Sequence, residues 1–163
     1  MNLVAVGNNS RVYDNGDGWV VYVPHEEKIY HPHNGDTSTG DGGKAREIML
    51  RATQLIKSPH LPIMKKIDGL IYARWYAFCD DEQGFMAGGR IMEYSPQWLC
   101  ANGEITPSEC EALEAVVQAA RETPYVIRWD LKAGNIAREH NRRVFVDPIY
   151  VDLSRRNDVS GTL

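Results

Sequence analysis

The stretch Tyr125-Val-Ile-Arg-Trp-Asp130-Leu-Lys-Ala-Gly-Asn135-Ile-Ala-Arg-Glu-His-Asn-Arg-Arg-Val-Phe-Val-Asp147-Pro constrains this chain more than any other. Its apolar, β-branched start predicts a strand that stops at Asp130. A tight loop carrying Asp130, Lys132 and Asn135 follows. Two short apolar runs then flank Glu139-His140-Asn141-Arg142, a polar turn, and predict a hairpin. Such a hairpin folds Asp147 back beside the loop that holds Asp130 and Asn135. Two carboxylates and a carboxamide at one spot are what magnesium and a phosphate require, because the metal takes hard oxygen ligands, few of them from protein. Asp and Asn are also good turn formers, and for any one of the three that reading suffices. Three at this spacing, with Val144-Phe145-Val146 running into Asp147, point to a site.

The totals exclude several classes. With 43% apolar and 25% charged residues, the 163-residue chain has the profile of an ordinary globular protein. A net charge of −4 disfavours a broad electrostatic grip on nucleic acid. No apolar run approaches the ~18 residues of a membrane span, and Met1-Asn-Leu-Val lacks a signal-like start. Cys79, Cys100 and Cys110 are scattered and odd in number, which suits reduced thiols and a cytoplasmic setting. His25, His31 and His33 lie in a Pro/Gly/Asp-rich stretch and read as a solvated loop rather than a metal site.

Upstream, Leu3–Val6, Arg11–Tyr13 and Trp19–Val23 predict three strands, with hairpin chemistry at Asp14-Asn-Gly-Asp-Gly18. Gly7-Asn8-Asn9-Ser10 is a turn whose backbone N–H groups could cover phosphates, though a single glycine makes that signal weak. A polar segment, 24–43, precedes a helix over 44–56, where Ala45, Ile48, Ala52 and Leu55 share one face. The β-prone run from Gly69 to Phe78 and the return from Phe85 to Glu93 predict two more strands. Thr106-Pro107-Ser108-Glu109 is a capping box that opens a helix to about residue 121, with Leu113, Val116, Val117 and Ala120 buried.

Asp130-Leu131-Lys132-Ala133-Gly134-Asn135 resembles the catalytic loop of the protein kinases, and Asp147 resembles their magnesium-binding Asp. Three strands, a helix and two strands are similar to the order of a kinase N-lobe. Arg90-Ile91-Met92-Glu93-Tyr94 resembles its last strand and hinge. The resemblance implies an α+β fold: a five-stranded antiparallel N-lobe with one helix, about 1–93, a hinge at about 92–96, and a truncated, mostly helical C-lobe over 97–163. All 163 residues then form one minimal kinase-like domain, similar to truncated kinases of bacterial viruses, such as the early kinase of short-tailed coliphages, and to bacterial effectors. Asp147-Pro148-Ile149 departs from the usual motif, and the 16 residues beyond Asp147 leave no room for an activation segment. Arg128 and Trp129 replace the commonest His and Arg, so control by activation-loop phosphorylation is not expected. Ser154–Asp158 reads as a fraying polar tail.

The resemblance also assigns roles. Asp130 orients or deprotonates a Ser or Thr hydroxyl of a protein substrate, and Lys132 neutralises the transferring phosphoryl group. Asn135 and Asp147 hold Mg2+. ATP meets Gly7 and Asn9 through its phosphates and the backbone near Glu93 and Tyr94 through its adenine, with Glu47 as the helix Glu. The strand lysine that usually pairs with that Glu is missing. Tyr22 stands there, and a phenol cannot supply a fixed positive charge at neutral pH. Arg11 is the preferred stand-in, with Lys28 and Lys44 as alternatives. Two other readings stay open: a pseudokinase that binds and inhibits a partner protein, and a small-molecule phosphotransferase of the aminoglycoside or choline kinase type.

Overall fold

The structure is a computed structural model that describes residues 2–6, 10–24, 42–74 and 89–156. Gly7, Asn9, Lys28, the three loop histidines and Cys79 lie outside the described residues. The fold mixes helices with antiparallel sheet. Strands β1 (Asn2–Val6), β2 (Ser10–Asp14) and β3 (Trp19–Pro24) form a meander. Its second turn is held by short polar side chains: the Gly16 N–H donates to Asp14 Oδ1 and the Trp19 N–H to Asp17 Oδ1. Helix α1 (Gly42–Leu55) follows, and then the hairpin of β4 (Met64–Ile67) and β5 (Leu70–Arg74). The five strands make one sheet in the order β1-β2-β3-β5-β4.

The five-stranded antiparallel sheet is as expected, but its fifth strand is not. Residues 89–93, the end of the expected Phe85–Glu93 strand, form a turn with one isolated bridge from Arg90 to Arg128. The sheet takes Met64–Ile67 instead, turned by Asp68 and Gly69, both at positive φ. The part of the return run that lies in 85–88 falls outside the described residues.

The remainder is not mostly helical. It holds helices α2 (Pro96–Ala101) and α3 (Pro107–Ala120) and four strands: β6 (Tyr125–Trp129), β7 (Ile136–Glu139), β8 (Arg142–Phe145) and β9 (Ile149–Arg156). The capping box at Thr106 and Glu109 is formed as the sequence predicts. Strand β9 pairs antiparallel with β6 from Trp129↔Ile149 to Tyr125↔Arg156, so Ser154–Arg156 is strand rather than tail. The β7–β8 hairpin turns through His140 (φ 52°) and Asn141 (φ 63°). Positive φ at both central residues is the primed turn whose twist matches its strands, and Asn is among the residues that tolerate it.

One large core spans both halves. Ala45, Ile48, Met49 and Ala52 of α1 pack with Leu99, Leu113, Val116, Trp129, Leu131, Phe145 and Val151. Helix α1 thus lies against α3 and β9, while Val12, Val20 and Ala73 form a smaller cluster on the sheet. Leu55, expected on the buried face of α1, is 48% exposed, and Leu50 is buried instead.

Candidate functional site

Strand β6 ends at Trp129, whose indole is fully buried and donates to Tyr94 O at 2.8 Å. The next residue starts the loop. The Asp130 N–H donates to Pro148 O at 2.8 Å, which clamps the loop to the segment between β8 and β9. Leu131 is buried in the large core and pins the loop, while Lys132, Ala133 and Gly134 are exposed. Gly134 has φ +100°, a conformation costly for residues with a Cβ, and lets the chain turn back to Asn135.

Asn135 stitches the site. Its N–H donates to Lys132 O at 3.1 Å and its side-chain Nδ2 to Asp130 O at 2.8 Å, closing the loop from within. Its carbonyl accepts the N–H groups of Val146 at 3.1 Å and Asp147 at 3.2 Å. The loop after β6 and the end of β8 are therefore bound to each other through one residue. The amide nitrogen faces the backbone, which leaves Asn135 Oδ1 as the acceptor end.

The charges converge as well. Burial pushes the Asp147 carboxyl above the usual carboxylate range, and the neighbouring Asp130 adds to that rise; Arg46 and Lys132 pull it partly back. Lys132 Nζ lies 3.9 Å from Asp130 Oδ1, a loose pair on a side chain that is mostly exposed. Two acids and two bases thus share one electrostatic neighbourhood. Asp130, Asp147 and the Asn135 carboxamide form a hard-oxygen donor set. Among the described residues no group of three or more His, Cys, Asp or Glu could hold a metal. Magnesium commonly takes one or two carboxylates and completes its shell with water and phosphate. By donor chemistry, the Asn135 carboxamide oxygen and the Asp147 carboxylate are the groups that could hold Mg2+.

The remaining expected residues fare differently. Arg11 is exposed, and its register places it opposite Val23. Val12 and Tyr22 pair on the other face of the sheet, the side turned toward α1, so Arg11 faces away from the site. Glu47 is bonded to Lys66 at 2.6 Å in a half-exposed ion pair between α1 and β4. Pairs so exposed contribute about 0–1 kcal/mol. Lys44 sits 5.8 Å from the Tyr125 ring, away from Tyr22.

Tyr94 and Glu93 do not offer a free backbone edge. Their N–H groups both donate to Arg90 O, and Tyr94 O is taken by the Trp129 indole. The Tyr94 ring packs against Gly89, where an added Cβ would lie 2.7 Å from a ring carbon, and meets Trp98 edge-on at 5.2 Å. An adenine read by these N–H groups would require the turn to open.

Sequence reasoning missed Arg46. Its guanidinium carbon lies 4.0 Å from the centre of the Tyr22 ring, and both side chains line a cavity of about 90 Å³ with Glu47, Gly43 and Ile71. Pockets that bury a whole ligand run to about 300–1,000 Å³, so this cavity is too small to enclose a nucleoside. Met49 and Leu50, three and four residues on, are buried, which sets Arg46 at the border of the buried face of α1.

Comparison of the chain with protein-family models, with curated proteins and with solved structures gave no match.

Proposed function

We propose that this chain is a minimal Ser/Thr protein kinase-like phosphotransferase that uses ATP and Mg2+. One observation carries the reading: Asn135 binds the Asp130 loop and the Asp147 segment into a single acidic site. In this reading Asp130, with its side chain about one-third exposed, orients the substrate hydroxyl and accepts its proton. The hydroxyl oxygen attacks the γ-phosphorus, the bond to the bridging oxygen breaks, and the electron pair leaves with ADP. Lys132, with a mostly exposed side chain, offsets negative charge on the transferring group. Bound Mg2+ supplies charge neutralisation of the phosphates. Asn135 and Asp147 provide its oxygens, and Leu131 and Gly134 fix the loop that presents them. The similarity of the loop to truncated kinases of bacterial viruses and effectors supports a host or partner protein in the cytoplasm as the substrate.

A pseudokinase that binds and inhibits a partner is the second reading. It is favoured by Tyr22 at the strand position where a lysine is expected, and by the inward N–H groups of Glu93 and Tyr94. Incubation with γ-labelled ATP and magnesium, alone and with cell lysate, separates the two. Label transfer that Asp130→Ala and Asp147→Ala both abolish is the expected result. Transfer that persists in both variants, or its absence from the wild type, would reject the kinase reading.

A further inference from the structure

The missing strand lysine leaves the site short of a fixed cation. The structure places another one on the same face of the sheet. Tyr22 pairs with Val12 and Ile71 on the side facing α1. Arg46, from the first half of α1, lies over that ring at 4.0 Å, within the range of a cation–π contact. Ile48 and Met49 of the same helix share one core cluster with Leu131 and Phe145, which flank Asp130 and Asp147 in the chain. The helix positions it firmly, since Ala45, Ile48 and Met49 beside it are buried in the large core. The adjacent acid, Glu47, is directed to Lys66. An arginine also presents several N–H donors in a rigid plane, a better match to phosphate oxygens than an ammonium.

We propose that Arg46 is the phosphate-anchoring cation of this site, delivered by the helix and steadied by the Tyr22 ring, in place of a lysine on the strand. This rests on the nucleotide-binding reading above. Tyr22 then has a purpose of its own: it is the platform that holds the guanidinium at the cavity, and a lysine in its place would repel Arg46. Arg46 and Tyr22 are one exchange, with the charge moved from strand to helix and the space it vacated filled by an aromatic ring.

The test is calorimetric titration with MgATP and with adenosine, on wild type, Arg46→Met, and the double variant Tyr22→Lys/Arg46→Met. Circular dichroism confirms folding of each. Loss of one charge-assisted contact is worth about tenfold or more in affinity. Arg46→Met is expected to weaken MgATP by about that factor while adenosine affinity changes less than about twofold. The double variant, with its cation back on the strand, is expected to recover most of the loss. A purely packing role would weaken both ligands and would not be rescued. If wild type binds MgATP and Arg46→Met binds it equally well, the role of Arg46 is overturned while the nucleotide reading stands. If Arg46→Met does not fold, a folded double variant that fails to bind MgATP overturns it. Wild type that binds no MgATP overturns both.

Discussion

Asp147 sits where a carboxylate is poorly hydrated and faces a second acid, Asp130, with Arg46 and Lys132 offsetting only part of the cost. Asp147→Asn keeps the shape and removes the charge, so the ligand-free variant is expected to melt a few degrees above wild type. A change of about 1 kcal/mol corresponds to roughly 2–4 °C for a chain of this size. Addition of MgATP is expected to raise the melting temperature of wild type and leave that of the variant unchanged. A variant that melts lower without ligand would show that the ionised carboxylate is a net support. The convergence of Asp130, Asn135 and Asp147 was legible in the sequence because a short hairpin leaves the chain few ways to return. Arg46 was not legible, because its partner Tyr22 is 24 positions away on a different element and no local spacing links them. Arg11, the cation that the sequence favours, stands on the opposite face of the sheet from Tyr22.

Among the elements, a tie between α3 and β8 helps to fix the hairpin that ends at Asp147. Arg143 donates to Glu109 at 2.6 and 2.7 Å and to Glu104 O at 2.8 Å. His60, in the connection after α1, joins the same edge. Its Nδ1 meets Arg143 O at 2.8 Å, and a carbonyl can only accept, so Nδ1 carries a proton, while Nε2 lies 3.1 Å from Ser108 Oγ. Burial pushes the Glu109 carboxyl up, but the bonds from Arg143 and from the Thr106 N–H outweigh it and hold the group below its ordinary value of 4.5. A folded-state value below the unfolded one contributes stability that is present above 4.5 and is lost as pH falls through the folded value. Glu109→Gln is therefore expected to cost about 1.5–3 kcal/mol near pH 7, the worth of hydrogen bonds to a charged group. The gap between its melting temperature and that of wild type should close as pH drops below 4.5. Parallel melting curves across that range would refute the tie. The capping box and strands β6 to β8 were legible from local patterns. The strand expected up to Glu93 was misread because β-prone composition cannot reveal that Met64–Ile67 holds the sheet edge beside β5. Polar Ser154–Arg156 looked like tail because its order comes from pairing with β6, 26 or more positions earlier.

Across the whole molecule, the expected division near residue 93 does not divide the core. The helix that precedes the β4–β5 hairpin packs with α3, β9 and the site loop in one cluster. Heat unfolding followed by far-ultraviolet dichroism and by tryptophan fluorescence is expected to give coincident single transitions. Ile48→Ala, in α1, is expected to shift both probes together by about 2–5 kcal/mol. Two separated transitions would mean that the halves hold together independently. This part of the architecture was hidden from sequence because an amphipathic helix shows that it has a buried face but not which surface covers it.

That anchorage limits how far α1 can move. Tilting α1 to withdraw Arg46 would bring Ile48 and Met49, now 0% and 2% exposed, into water. At about 1.5–3 kcal/mol for each side chain, the tilted form would be outnumbered roughly 10²- to 10⁴-fold. A lever held that hard is a fixed bracket: the helix keeps its place unless something outside it replaces the contacts of Ile48 and Met49.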